Sequence, residues 1–250
     1  MKRVRTAALL LAVTVSAAGC SGEIGETLRR LAHPATPSAE APAESSDDVV
    51  AKARPSVVKV HGESESCFKI SEGSGFVVAP HKVMTNAHVV AGAETFSVDA
   101  QAKSLDAQVV SYDPRADIAI LDVPGLSAAP LEFAEYTAGT GTPALVLGFP
   151  GAASFKASPT QIRQVSDIKG PDIYQATSVT RQVYILIGSF PRPGSSGSAV
   201  VDLYGHVLGV YFGAETNDST TGFAMTAAQV APQMAQVGGT QAADTGDCVY

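Results

Sequence analysis

Twelve short apolar runs constrain this chain more than any other feature. Six lie in the first half, PSVVKV, GFVVA, VMTNA, FSVDA, AQVVSY and IAILDV. Six lie in the second, ALVLGF, QIRQVS, YILIGSF, SAVVDL, HVLGVYFG and GFAMT. Most are too short for core helices, and they are rich in Val, whose branched Cβ fits a pleated sheet better than a helical turn. Gly, Pro, Asp or Asn usually separates them, as turns between strands require. A weak point near Pro124 to Gly141 divides the runs into two all-β halves, about 55–125 and about 140–226. Two helices are expected at the margins. SDDVVAKARPSVVKVH is a short capped helix stopped by Pro55 and then a strand, and TAAQVAPQMAQV is one closing helix with Pro232 in its early turns.

The first twenty residues, MKRVRTAALLLAVTVSAAGC, have the form of an export signal. Lys2, Arg3 and Arg5 precede an apolar stretch, Ala7 to Ala18, too short to span a bilayer comfortably. The ending Ala17-Ala18-Gly19-Cys20 resembles a bacterial lipobox, which predicts a signal over 1–19 and lipidation of Cys20. The alternative is ordinary cleavage near Ala18. Residues 20–47, rich in Pro, Ala, Ser and Glu without an apolar period, are expected to be a disordered tether. If Cys20 carries lipid, Cys67 and Cys248 remain as an even pair in an oxidising compartment. They form either a disulfide or two free thiols.

The stretch PRPGSSGSAVVDL places Ser195, Ser196 and Ser198 in a glycine turn before an apolar run. A serine hydroxyl needs a base within hydrogen-bond reach, and the base needs an orienting group, to act as a nucleophile. Among the five histidines, His33 falls in the tether and His81 in a turn, while His61 and His206 are flanked by strand-like residues. His88 stands where VMTNAHVV leaves a strand, at the rim of a sheet. Alone, such a histidine is more often a structural residue than a base. Asp117 heads the run IAIL, as a cap or as a buried orienter.

TNAHVV, ADIAIL and GSSGS, in that order, resemble the trypsin-like (chymotrypsin-fold) serine proteases. The likeness runs through about residues 48–235 and extends to the bacterial high-temperature-requirement and glutamyl branches. It is closer still to membrane-tethered periplasmic proteases of mycobacteria. The resemblance implies an all-β fold of two six-stranded antiparallel β-barrels with a short C-terminal helix, within a protease domain spanning 48–250. It makes His88 the general base, Asp117 its orienter and Ser196 the nucleophile. Gly194 and Ser196 supply oxyanion-hole amides, and Cys67 pairs with Cys248. The substrate pocket is expected around Ser189, Phe190, Val210, Tyr211, Phe212, Gly213 and Ala224. No carboxylate stands at its floor, so small or apolar residues are expected there. Ser198 and Ala199 stand where Gly and often Pro are usual, and SFPRPG before the turn is unusually proline-rich.

The expected partner is a polypeptide substrate, with a membrane reached through lipidated Cys20. The alternative is a catalytically inactive protease-fold lipoprotein that binds a peptide or envelope partner. No cofactor or metal is implied, since H-E-x-x-H and paired-cysteine spacings are lacking. With a formal charge of −7 and no basic cluster in the globular part, nucleic acid is not an expected partner.

Overall fold

The structure is a computed structural model that describes residues 45–190 and 194–249. The predicted signal, Cys20 and nearly all of the tether lie outside the described residues.

Helix α1 (Ser46–Ala53) opens the described chain. Ser45 caps it by accepting from the Asp48 amide at 3.2 Å, and Asp47 and Asp48 suit the positive end of the helix dipole. A turn at Arg54-Pro55-Ser56 then redirects the chain into barrel one. Its strands are β1 (Val57–Ser64), β2 (Lys69–Ala79), β3 (Lys82–Thr85), β4 (Thr95–Ala100), β5 (Lys103–Asp113) and β6 (Ile118–Asp122). The short helix α2 (Ala87–Val90) follows β3. The sheet closes in the order β1-β2-β3-β6-β5-β4.

Barrel two holds β7 (Pro143–Gly148), β8 (Lys156–Pro171), β9 (Ser178–Gly188), β10 (Ala199–Val201), β11 (Val207–Ala214) and β12 (Thr221–Thr226). It closes in the order β10-β11-β12-β9-β8-β7. Helix α3 (Ala227–Met234) follows, with Pro232 inside it. The architecture is therefore two six-stranded antiparallel barrels and a short C-terminal helix.

Several strands outrun their apolar runs. β8 has 16 residues, although QIRQVS has only two apolar ones. Ser158, Thr160 and Ile162 point inward while Gln161 and Arg163 face solvent, so the strand alternates with hydroxyls on its buried face. Hydropathy alone hides such a strand.

Each barrel has its own core. Val58, Val60, Val77, Val98 and Leu121 fill the first, and Ile162, Tyr184, Leu186 and Leu208 fill the second. A third cluster joins the two, with Phe76, Met84, Ile118 and Ile120 against Leu147, Val201, Val210 and Met225. Strand β6 serves both sides of this seam. Ala119 and Leu121 belong to the barrel-one core while Ile118 and Ile120 belong to the seam, which explains the unbroken apolar run IAIL.

Beyond α3 the chain returns across barrel one. Gly239 accepts from Lys82 Nζ at 2.7 Å, the Ala243 amide donates to Val109 at 2.8 Å, and Thr245 accepts from Gly92 at 3.1 Å. A disulfide then joins Cys248 to Cys67 across a sequence separation of 181. Loop-closure entropy assigns such a bond a ceiling of about 5 kcal/mol. Replacing Cys248 by Ser is expected to lower the unfolding free energy by roughly 2–5 kcal/mol. Urea denaturation without reductant measures the change, and equal midpoints would contradict it.

Candidate active site

Sheet register brings the first two site residues together. Thr85 at the end of β3 pairs with Ala119 near the start of β6. His88 lies three residues beyond one and Asp117 two before the other, so the two side chains meet above the seam. Asp117 has φ +57, a left-handed backbone that glycine adopts freely and that asparagine and aspartate adopt more readily than other residues. The Asn86 side chain donates to the Asp117 carbonyl at 2.9 Å and holds that bend. The Asp117 carboxylate accepts from the His88 backbone amide at 3.0 Å. It also meets His88 Nδ1 at 3.0 and 2.9 Å. The ring orientation is thus set twice, and Nε2 is left for the cleft.

The carboxylate side chain is 8% exposed and the imidazole 30%. Burial disfavours the imidazolium, but the charge and hydrogen bond of Asp117 outweigh it. Lys69 opposes weakly by charge repulsion. The net result raises the His88 pKa above its ordinary 6.5.

The serine turn is built from positive φ angles at Gly194 (+89) and Gly197 (+84). The Ser198 amide donates to the Ser195 carbonyl at 3.1 Å, closing it. A Cβ at Gly197 would lie 2.0 Å from the Ser74 carbonyl oxygen, so only glycine fits. Barrel one grips this turn directly. The Ser74 amide donates to the Ser196 carbonyl at 2.8 Å, and the Ser74 hydroxyl donates to the Gly194 carbonyl at 2.9 Å.

Ser195 and Ser198 are buried, whereas Ser196 reaches a cleft of about 480 Å³ that His88 and Gly194 also line. The Ser196 hydroxyl points to the Phe212 carbonyl at 3.4 Å and makes no hydrogen bond to His88. The amides of Gly194 and Ser196 donate to no backbone carbonyl among the described residues.

Residues 73–210 match the family described as a trypsin-like peptidase domain. The chain belongs to the trypsin-like peptidase family. It is 49% identical over 209 residues to the serine protease Rv3671c of Mycobacterium tuberculosis, covering 83% of this chain and 52% of that protein. A probable periplasmic serine endoprotease, DegP-like, of Pseudomonas putida is 30% identical over 143 residues, 56% of this chain and 28% of that one. The chain thus spans about half the length, or less, of these curated relatives. The crystal structure of the Rv3671c protease in its active form superposes with a TM-score of 0.79 at 49% identity, covering 81% of this chain and 89% of that one. The inactive form gives 0.68 at 48% identity, covering 76% and 92%.

In this trypsin-like domain the expected pocket residues are placed unevenly. Val210 and Ala224 are fully buried in the cores. Phe190 and Tyr211 stack at 5.5 Å and are also buried, beside a recess of about 10 Å³. Phe212 packs on Phe223 at 6.1 Å, Gly213 has open space where a Cβ would stand, and Ser189 is exposed.

Sequence reasoning passed over Ser74, Asn86 and Gly73, which hold the site without carrying its chemistry. A Cβ at Gly73 would overlap Val89 and come within 3.2 Å of the Ser196 carbonyl. The run GSG in GSGFVVAP was the signal for Gly73 and Ser74, and Asn86 lies inside TNAHVV.

Because the folded pKa of His88 lies above 6.5, the stability this pairing contributes is fully present below about pH 6.5. It fades as pH rises through the folded value. NMR titration of the His88 ring should give a midpoint above 6.5 in the native chain. In Asp117→Asn, which tolerates the left-handed backbone, the midpoint should fall. An unmoved midpoint would show that Asp117 does not control the ring.

Proposed function

We propose that this chain is an exported serine endopeptidase acting by acyl transfer. The bidentate hold of Asp117 on His88, in a cleft reached by only one serine of the turn, carries this reading. Rotation of Ser196 about Cα–Cβ, between staggered positions, takes its hydroxyl from the Phe212 carbonyl towards His88. The oxygen then attacks the scissile carbonyl carbon while its proton passes to His88 Nε2. The Gly194 and Ser196 amides receive the oxyanion, each contributing roughly 3 kcal/mol to the transition state. His88 returns the proton to the departing amine, leaving an acyl-Ser196 ester. Water, deprotonated by the same imidazole, hydrolyses the ester and restores the site.

The absence of a carboxylate among the expected pocket residues supports small or apolar residues, and not Arg or Lys, immediately before the scissile bond. Export follows the proposed signal 1–19, with lipidated Cys20 and the tether 20–47 holding the protease domain 48–250 at the outer face of the membrane or in the periplasm. The Cys67–Cys248 disulfide supports an oxidising compartment. A second reading, an inactive peptide binder, draws on the Ser196 hydroxyl facing Phe212 instead of His88.

A fluorophosphonate probe separates the two. It should label the oxidised chain and fail with Ser196→Ala, whereas absence of labelling in folded protein would favour the binder. kcat/KM should climb with pH as His88 loses its proton, with a midpoint above 6.5. Asp117→Asn should reduce kcat on the order of 10³–10⁴-fold. A strict Arg or Lys preference in a peptide library would contradict the pocket assignment.

A further inference from the structure

Sheet register brings Asp117 and His88 near each other, but each sits on a short piece of chain that cannot hold itself. Helix α2 has four residues, and Asn86 directs its side chain to the Asp117 carbonyl instead of capping it. The turn before Asp117 is shaped by Asp113, whose carboxylate accepts from the Arg115 and Ala116 amides at 2.9 Å. Those bonds fix the form of the turn and not its distance from α2. A shift of about 1 Å breaks a hydrogen bond as short as the 2.9 Å between Asp117 and His88 Nδ1, so that distance needs a brace.

A line of hydroxyls supplies one from outside the cleft. Beyond α2, the Gly92 amide donates to the Thr245 carbonyl at 3.1 Å, and the Thr245 hydroxyl donates to the Ala93 carbonyl at 3.1 Å. The same Thr245 carbonyl accepts from the Tyr174 hydroxyl at 3.1 Å. That bond takes the Tyr174 proton, so Tyr112 is the donor at the 2.6 Å contact between the two phenols. Tyr112 pairs across β5 and β6 with Ala119, two residues from Asp117. Burial and Tyr174, with the Asp117 charge, push the Tyr112 pKa up, so the hydroxyl keeps the proton it donates. Tyr174 is itself preset by its turn. The Asp172 carboxylate accepts from the amides of Tyr174 at 3.1 Å, Ala176 at 2.9 Å and Thr177 at 3.0 Å. Gly246 admits the phenol, since a Cβ there would lie 2.4 Å from its oxygen.

We propose that Tyr112 and Tyr174 are positioning residues for the proteolytic reaction, because the chain Tyr112–Tyr174–Thr245 fixes the separation between the segments that carry Asp117 and His88. The proposal rests on the protease reading above and adds to it residues of β5, the β8–β9 hairpin and the C-terminal strap, none of which lines the cleft containing Ser196. The contacts close a ring. It runs from Asp117 to His88, along α2 to Gly92, through Thr245 and Tyr174 to Tyr112, and back across β5 and β6 to Asp117. Opening the ring at the phenols leaves both barrels intact but frees the Asp117 turn to drift from the imidazole.

The test uses full-length oxidised protein with Tyr112→Phe, Tyr174→Phe and the two substitutions combined. Each variant removes the bond between the phenols and keeps the rings. The single variants leave a partner unpaired, and Tyr174→Phe should cost more stability because it leaves the Tyr112 donor without an acceptor. The combined variant removes both partners and should recover most of that stability in urea. Activity should not recover with it. On a peptide that the native chain cleaves, all three variants should lower kcat on the order of 10–100-fold, with KM within about twofold. The NMR midpoint of the His88 ring should fall in all three, because a more distant Asp117 raises it less. A kcat or a midpoint that returns to the native value in the combined variant overturns the proposal, since the phenols would then serve stability alone. So does a midpoint that none of the three moves. If the native chain takes no fluorophosphonate label while the His88 midpoint falls in all three variants, the protease reading fails and the brace stands.

Discussion

Each barrel closes its own sheet, so no shared sheet joins the two and they meet chiefly through packed side chains. Everything else in this molecule depends on that seam. Ile118 and Ile120 on one side and Leu147, Val201 and Val210 on the other exclude water from it. Strand β6 is apolar on both faces because it belongs to a barrel core and to the seam at once. Its first residue therefore has a fixed position relative to both barrels. Asp117, immediately before it, inherits that position, and the serine turn opposite is anchored by β10, which pairs with β7 and β11.

The electrostatics follow from this placement. A carboxylate as buried as Asp117 is costly unless its oxygens are satisfied. Here the imidazole and a backbone amide of α2 satisfy them, and the price is a left-handed residue held by Asn86. Burial opposes charge on His88 and Asp117 favours it, and the second effect wins. Ser74 links the two barrels at the same level, through one amide and one hydroxyl, so the serine turn cannot shift independently of β2.

The C-terminal strap adds a second connection. The end of barrel two returns to barrel one, and its terminus sits beside the cleft through Cys67 and Lys69. The β8–β9 hairpin contributes from the other side. Tyr174 meets Tyr112 at 2.6 Å and Thr245 at 3.1 Å, while Arg181 donates to the Arg115 carbonyl at 2.7 Å. The loop that carries Asp117 is thus held by residues from three parts of the chain.

Much of this was legible in the sequence because strand patterning is local. The short Val-rich runs divided into two all-β halves, and Asp117 stood at the head of the apolar run IAIL. The order of TNAHVV, ADIAIL and GSSGS pointed to His88, Asp117 and Ser196. The polar length of β8 was not legible, since its inward hydroxyls carry no hydropathy signal. Nor were the burial of Val210 and Ala224, the stacking of Phe190 on Tyr211, the grip of Ser74 or the direction of the Ser196 hydroxyl. Each of these depends on which groups from distant segments arrive at one point, and a linear pattern records which faces are apolar but not what they will face. The sequence alone determined the strands and the chemical types available to them; only the tertiary structure decided which side chains would be left exposed at the cleft, because packing across the seam had first claim on the rest.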